Sequence, residues 1–145
     1  MRVTLSLRGD YAVRAMLALA EHERDRPAGD VPPPLLSAGR IAARMRIPAR
    51  FVAHVLGDLG RAELVVGSPG RTGGYRLAAP ADRIDLLQIV DAAERETAVA
   101  RCVLRGIPCD PTGRCAVHDA FGAATLALRE ELARTSLARL VDGRG

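Results

Sequence analysis

The segment "IPARFVAHVLGDLGRAEL", residues 47–64, limits the fold more than any other part of the chain. Pro48 falls at the first turn of a helix, where its missing N–H costs nothing. Phe51, Val52, Val55, Leu56 and Leu59 then recur at the spacing of one apolar stripe. Arg50, Ala53, His54, Gly57 and Arg61 take the opposite face. Just upstream, "SAGRIAARMRI" offers Ser37 as an N-cap and turns Ile41, Ala42 and Met45 inward. Two helices joined by a tight turn over residues 46–49 make a helix-turn-helix. Directly afterward, the β-type runs "LVV" and "YRLA" of "LVVGSPGRTGGYRLAAP" flank a tip of Gly and Pro, the pattern of a hairpin. A hairpin in that place is the wing of a winged-helix domain, with Arg71 at its tip and Arg76 at the base of the return strand.

The remaining segments are mostly helical by periodicity. Tyr11, Val13, Met16, Leu17 and Ala20 predict a first helix over 9–24, with Asp10 in its first turn, where a carboxylate suits the helix dipole. "RPAGDVPPP" breaks any period and predicts a loop. "DRIDLLQIVDAAE" predicts a helix with Ile84, Leu87, Ile89 and Val90 apolar. Near the C-terminus, Val117, Phe121, Ala124, Leu128 and Leu132 form a narrow stripe on one long helix over 116–141. The expected class is mainly α with a small β-wing. Its parts are a winged helix-turn-helix DNA-binding domain over 1–80, a connecting helix over 81–101, a cysteine loop over 102–118 and the long helix. A chain of 145 residues is ample for one domain and marginal for two. The stripe on the long helix therefore predicts a homodimer, the alternative being that it folds back on its own domain.

Charge favours a polyanion as partner. Up to Arg76 there are 12 Arg against 7 acids, a balance of +5; the remainder holds 9 against 10, a balance of −1, and the two sum to +4. All 21 basic residues are Arg, which suits bidentate contact with phosphate or guanine and equally follows from a genome's base composition. Only two Tyr and two Phe occur, without Trp, so Leu, Val, Ile and Ala must build the core. In a winged helix, Arg–phosphate contacts supply affinity and the second helix reads base edges. The candidates are Arg40, Arg50, Ala53, His54 and, in an adjacent minor groove, Arg71. Neither a bilayer-spanning run nor a signal-peptide pattern is present, which predicts a cytoplasmic protein without a membrane partner.

The stretch "CVLRGIPCDPTGRCAVH" gathers all three cysteines and one of three histidines in the pattern C-x6-C-x5-C-x2-H. In a reducing compartment an odd, clustered set reads as metal or redox groups rather than a structural disulfide. Cys102, Cys109 and Cys115 are soft donors suited to an iron-sulfur cluster or zinc, and His118 stands one helical turn beyond the last of them. Nucleophilic catalysis is disfavoured, since no orienting partner is visible, and the chain does not read as an enzyme. Three readings follow: an iron-sulfur-controlled regulator, a zinc-stabilised protein–protein adaptor, and a regulator that senses by cysteine oxidation without metal.

In order and combination, "GDYAVRAMLALA", "IAARMRIPARFVAHVLGDLGRAELV", "GRTGGYRLA" and "CVLRGIPC…RCAVH" resemble the Rrf-two family of bacterial winged-helix regulators over nearly the whole chain. The resemblance implies a homodimeric transcription regulator, by family habit a repressor, that binds a palindromic operator in double-stranded DNA. It also implies an iron-sulfur cluster sensing iron-sulfur status, nitric oxide or oxidants. By that likeness Cys102, Cys109 and Cys115 hold the cluster, and His118 matches the histidine with which IscR-like members complete a 2Fe-2S centre. Asp10 matches the carboxylate that some NsrR-like members give to a 4Fe-4S centre, so it stands as the alternative fourth ligand, with 2Fe-2S favoured. The chain departs from the family in three places. Its first cysteine spacing is one residue longer, its wing reads "GSPGRTGGY", and Ala53 and His54 replace acidic and amide residues. An operator sequence is therefore not inherited from the likeness.

Overall fold

In the computed structural model, described for residues 3–27, 29, 32–94, 104, 106, 108 and 115–143, the first helix opens on a side-chain cap. Ser6 accepts the Gly9 N–H through Oγ at 3.1 Å, which starts α1 (Leu7–Arg24) two residues before the periodicity predicts. Cap chemistry outranks the apolar pattern there, because it satisfies donors that the helix leaves open. Ser37 caps α2 (Ala38–Met45) in the same way. Arg46 then takes a left-handed conformation, φ 53°, and Pro48 leads into α3 (Ala49–Arg61), completing the helix-turn-helix.

The wing forms as expected, with strands displaced slightly toward the tip. β1 (Val65–Ser68) pairs antiparallel with β2 (Gly74–Leu77), in a register running from Val65 opposite Leu77 to Ser68 opposite Gly74. Leu36, just before α2, adds a bridge on the outer edge of β2: it exchanges both backbone hydrogen bonds with Tyr75 at 2.9 Å. The return strand is therefore paired on both sides.

A 3-10 turn (Ala81–Arg83) leads to α4 (Leu86–Glu94), and the C-terminal part holds α5 (His118–Arg134) and α6 (Leu137–Asp142). The single helix expected over 116–141 is thus two helices. Thr135 is extended, and its carbonyl accepts the Leu86 N–H at 2.9 Å, while the Leu137 N–H donates to the Ile84 carbonyl at 2.7 Å. The chain breaks at 135–136 to pair with 84–86, and Ser136 caps the new helix on the Arg139 N–H.

α6 then buries Leu137 and Val141 in the core shared by α1, α2, α3 and α4, where α1 is the central element. Aliphatic residues make that core, among them Met16, Leu19, Ile41, Leu56, Leu59, Ile84 and Ile89. α5 contributes no buried residue, and residues 119–131 are exposed along its whole circumference. Among the described residues no helix is long and apolar enough to cross a membrane.

Candidate nucleic-acid interface and cysteine stretch

α3 is positioned by the apolar side of its own sequence. Val52, Val55, Leu56 and Leu59 are buried, which leaves Arg50, Ala53 and His54 exposed. Arg40 on α2 and Arg71 at the wing tip are exposed as well. All five residues singled out as DNA contacts thus lie on solvent-facing positions of the helix-turn-helix and its wing. The Arg50 guanidinium stacks over the Phe51 ring, 4.9 Å from its centroid, and Phe51 packs on Tyr11 of α1 at 5.6 Å between centroids. A cation held on an aromatic face gives up less side-chain freedom when it meets a phosphate. Between α1 and α3 lies a cleft of about 340 Å³ lined by Leu7, Arg8, Tyr11, Phe51, His54 and Val55.

Sequence reading missed Asp58. It is the buried charged residue among those described, 3% exposed, on the core side of α3. Its carboxylate accepts from Arg8 Nε at 2.7 Å and pairs with Arg61 one turn along the same helix. The available signal was an acid set between Val55 and Leu59 in an otherwise apolar face. Glu94, also missed, closes the end of α4 onto α1 by accepting the Ser6 N–H at 2.9 Å. Gly9 makes room for it, since a Cβ there would fall on the Glu94 carboxylate.

Two titratable groups lie under this surface. Burial, and after it the nearby Arg40 and Arg44, hold the His22 imidazole below its usual value, and Nε2 has no hydrogen-bond partner. Burial pushes the Glu23 carboxyl up, against the Leu77 N–H that it accepts at 3.2 Å.

Of the four expected cluster ligands, Cys115 and His118 are described, while Cys102 and Cys109 lie outside the described residues. Cys115 is half-buried and free of any disulfide, and its carbonyl accepts the His118 N–H at 3.0 Å. His118 is the first residue of α5 and is also half-buried. Asp10, the alternative ligand, is taken by Arg14 through two contacts of 2.8 and 3.0 Å. Among the described residues no three His, Cys, Asp or Glu side chains converge.

A helix-turn-helix bearing exposed arginines, followed by a two-stranded wing with Arg71 exposed at its tip, defines a winged-helix DNA-binding protein. Comparison with known proteins narrows this. The profile of the Rrf2 family, described as "Iron-dependent Transcriptional regulator", matches residues 5–143, and the chain belongs to that family. An HTH-type transcriptional regulator of Neisseria meningitidis is 33% identical over 138 residues, covering 95% of this chain and 87% of that one. The HTH-type transcriptional regulator IscR of Vibrio campbellii is 32% identical over 114 residues, or 79% of this chain and 62% of its own. Among solved structures, T. potens IscR superposes with a TM-score of 0.74 at 22% identity, covering 99% of this chain and 89% of its own. CymR, the global cysteine regulator of B. subtilis, superposes at 0.75 and 21% identity over 97% of this chain and 98% of its own. Those two likenesses establish the mainly helical, winged fold, and the family makes the chain a DNA-binding transcriptional regulator.

Proposed function

We propose that this protein is a homodimeric transcription regulator, by family habit a repressor, that reads a palindromic operator and is controlled by an iron-sulfur cluster. The ligands are Cys102, Cys109 and Cys115, with His118 as the fourth. The observation that carries the choice is the state of the two competing fourth ligands. His118 starts α5 one turn beyond the half-buried Cys115, whereas Asp10 is engaged by Arg14. A thiolate and an imidazole so spaced suit a cluster with mixed sulfur and nitrogen ligation, which favours 2Fe-2S over 4Fe-4S. When bound, such a cluster supplies a centre that responds to oxidants, nitric oxide and iron-sulfur supply.

The chain's own residues do the rest. Arg40, Arg50 and Arg71 meet phosphate and groove, Ala53 and His54 face base edges, and α5 pairs with its copy to set the half-site spacing. A second reading rests on the disulfide-free Cys115: oxidation of the cysteines without any metal would serve the same surface.

Anaerobic purification with absorbance, iron, sulfide and zinc assays tests the main reading. Iron and acid-labile sulfide in equal amounts are expected, with loss of both in His118→Ala and retention in Asp10→Ala. Colourless protein carrying stoichiometric zinc refutes the cluster, and metal-free protein whose DNA binding follows thiol oxidation favours the second reading.

A further inference from the structure

We infer that Asp58 is a positioning residue for sequence-specific DNA recognition, fixing α3 against α1 through Arg8 and orienting Arg61 on the recognition helix. The inference needs DNA binding alone and is independent of what the cysteines hold.

Asp58 stands where a leucine would pack. Its neighbours on α3, Val55 and Leu59, are buried at 2% and 0% exposure, and Asp58 itself is at 3%. An ion pair at such a place is weak support for stability, because desolvation offsets most of the attraction. Its distinctive property is direction. Apolar contacts between α1 and α3 tolerate a small slide or rotation, whereas a carboxylate shared by two guanidinium groups does not. Arg8 comes from the first turn of α1, and that turn is itself held, by the Ser6 cap on Gly9 and by Glu94 on the Ser6 N–H. The reference end of the contact is therefore fixed. At the other end Asp58 also takes Arg61, which is largely exposed on the same side of α3 as Arg50 and His54. A recognition helix must present its side chains to base edges within a fraction of an ångström, so its rotation decides specificity more than affinity.

The test uses the full-length protein and two duplexes: one selected by the protein from a random-sequence pool, and a scrambled duplex of equal length. Asp58→Asn removes a negative charge from the DNA-binding domain, so electrostatics alone would raise affinity for both duplexes. Positioning predicts the opposite for one of them. Affinity for the scrambled duplex holds or rises, while affinity for the selected duplex falls, and the ratio between them drops about tenfold. A parallel rise on both duplexes overturns the proposal, as does an unchanged ratio.

If Asp58→Asn does not fold, as judged by circular dichroism, Arg8→Ala replaces it, since Arg8 is partly exposed and Asp58 keeps Arg61 as a partner. Arg8→Ala is expected to lower affinity for the selected duplex more than for the scrambled one, with Arg8→Lys recovering the ratio. An equal fall on both, with a shallower salt dependence, would make Arg8 a phosphate contact and overturn the positioning role.

Discussion

Gly74→Ala should unfasten the wing from the body of the domain. A Cβ at Gly74 would lie 2.7 Å from both the carbonyl carbon and oxygen of Leu36, and these are backbone atoms that cannot rotate away. Either β2 or the 35–37 segment must retreat. The retreat breaks the two 2.9 Å hydrogen bonds between Leu36 and Tyr75. At about 0.5–1.5 kcal/mol net each, they account for roughly 1–3 kcal/mol. Leu36, at 2% exposure, also loses part of its packing, which adds about 1 kcal/mol. Against this, alanine narrows the unfolded ensemble and returns about 0.4–1 kcal/mol. The expected net destabilisation is about 1–3.5 kcal/mol, read as a lower urea midpoint at unchanged slope in a circular dichroism titration. Gly60→Ala is the control: nothing lies within 4 Å of a Cβ there, and the residue is inside α3. It should stabilise by about 0.5–1 kcal/mol through helix propensity. A Gly74→Ala protein within about 0.5 kcal/mol of wild type would show that the strand yields freely, and the reasoning from backbone contact would fail.

Two further outcomes follow from the same structure. Burial raises the Glu23 pKa above its unfolded value, so the folded state holds that proton more tightly. The stability this gives is complete below the ordinary carboxylate range and is lost as pH rises through the raised folded value. Glu23→Gln, which keeps an acceptor for the Leu77 N–H, should therefore melt higher than wild type at neutral pH and match it near pH ~4; equal melting temperatures at both would remove the argument. On α5, Phe121, Leu126 and Leu128 are exposed at 36%, 59% and 41%. Leu128→Glu should convert a dimer into a monomer of unchanged helicity by light scattering, and a wild-type protein monomeric at tens of micromolar would refute α5 as the dimer contact.

Local chemistry made most of the fold legible. Ser37, Pro48 and the stripe from Phe51 to Leu59 each act within a turn or two of themselves, and the helix-turn-helix follows from them. The Gly- and Pro-containing tip likewise announced the hairpin. What stayed hidden depends on partners far along the chain. Thr135 and Ser136 break the last helix because residues 84–86 are there to pair with them, and the apolar spacing through Leu132 and Leu137 gives no sign of it. The same holds for the Leu36 bridge and for Asp58, whose meaning comes from Arg8 fifty residues earlier. For the candidate site, exposure of Arg40, Arg50, Ala53, His54 and Arg71 was predictable from helix faces and turn composition. The engagement of Asp10 by Arg14 was readable too, as an acid four residues ahead of a base.

The frame around the cysteine stretch explains why a sensor placed there would have leverage. α4 leads out to it and α5 returns from it, and the pairings show the two helices running antiparallel. They are joined at one end by the backbone bonds between 84–86 and 135–137, and midway by Arg129, which grips Asp91 through two contacts of 3.0 and 2.8 Å. At the far end of α4, Glu94 is bonded to the first turn of α1. That turn carries Arg8, and Arg8 holds Asp58 on α3. A change of shape between residues 94 and 118 would act on a frame braced at its base, and Glu94, at the other end of α4, would carry it to α1. From there one hydrogen bond, Ser6 N–H to Glu94, and one ion pair, Arg8 to Asp58, lead to α3. α5 and α3 are thus linked through α4 and α1 by this chain of bonds, though they are far apart in sequence.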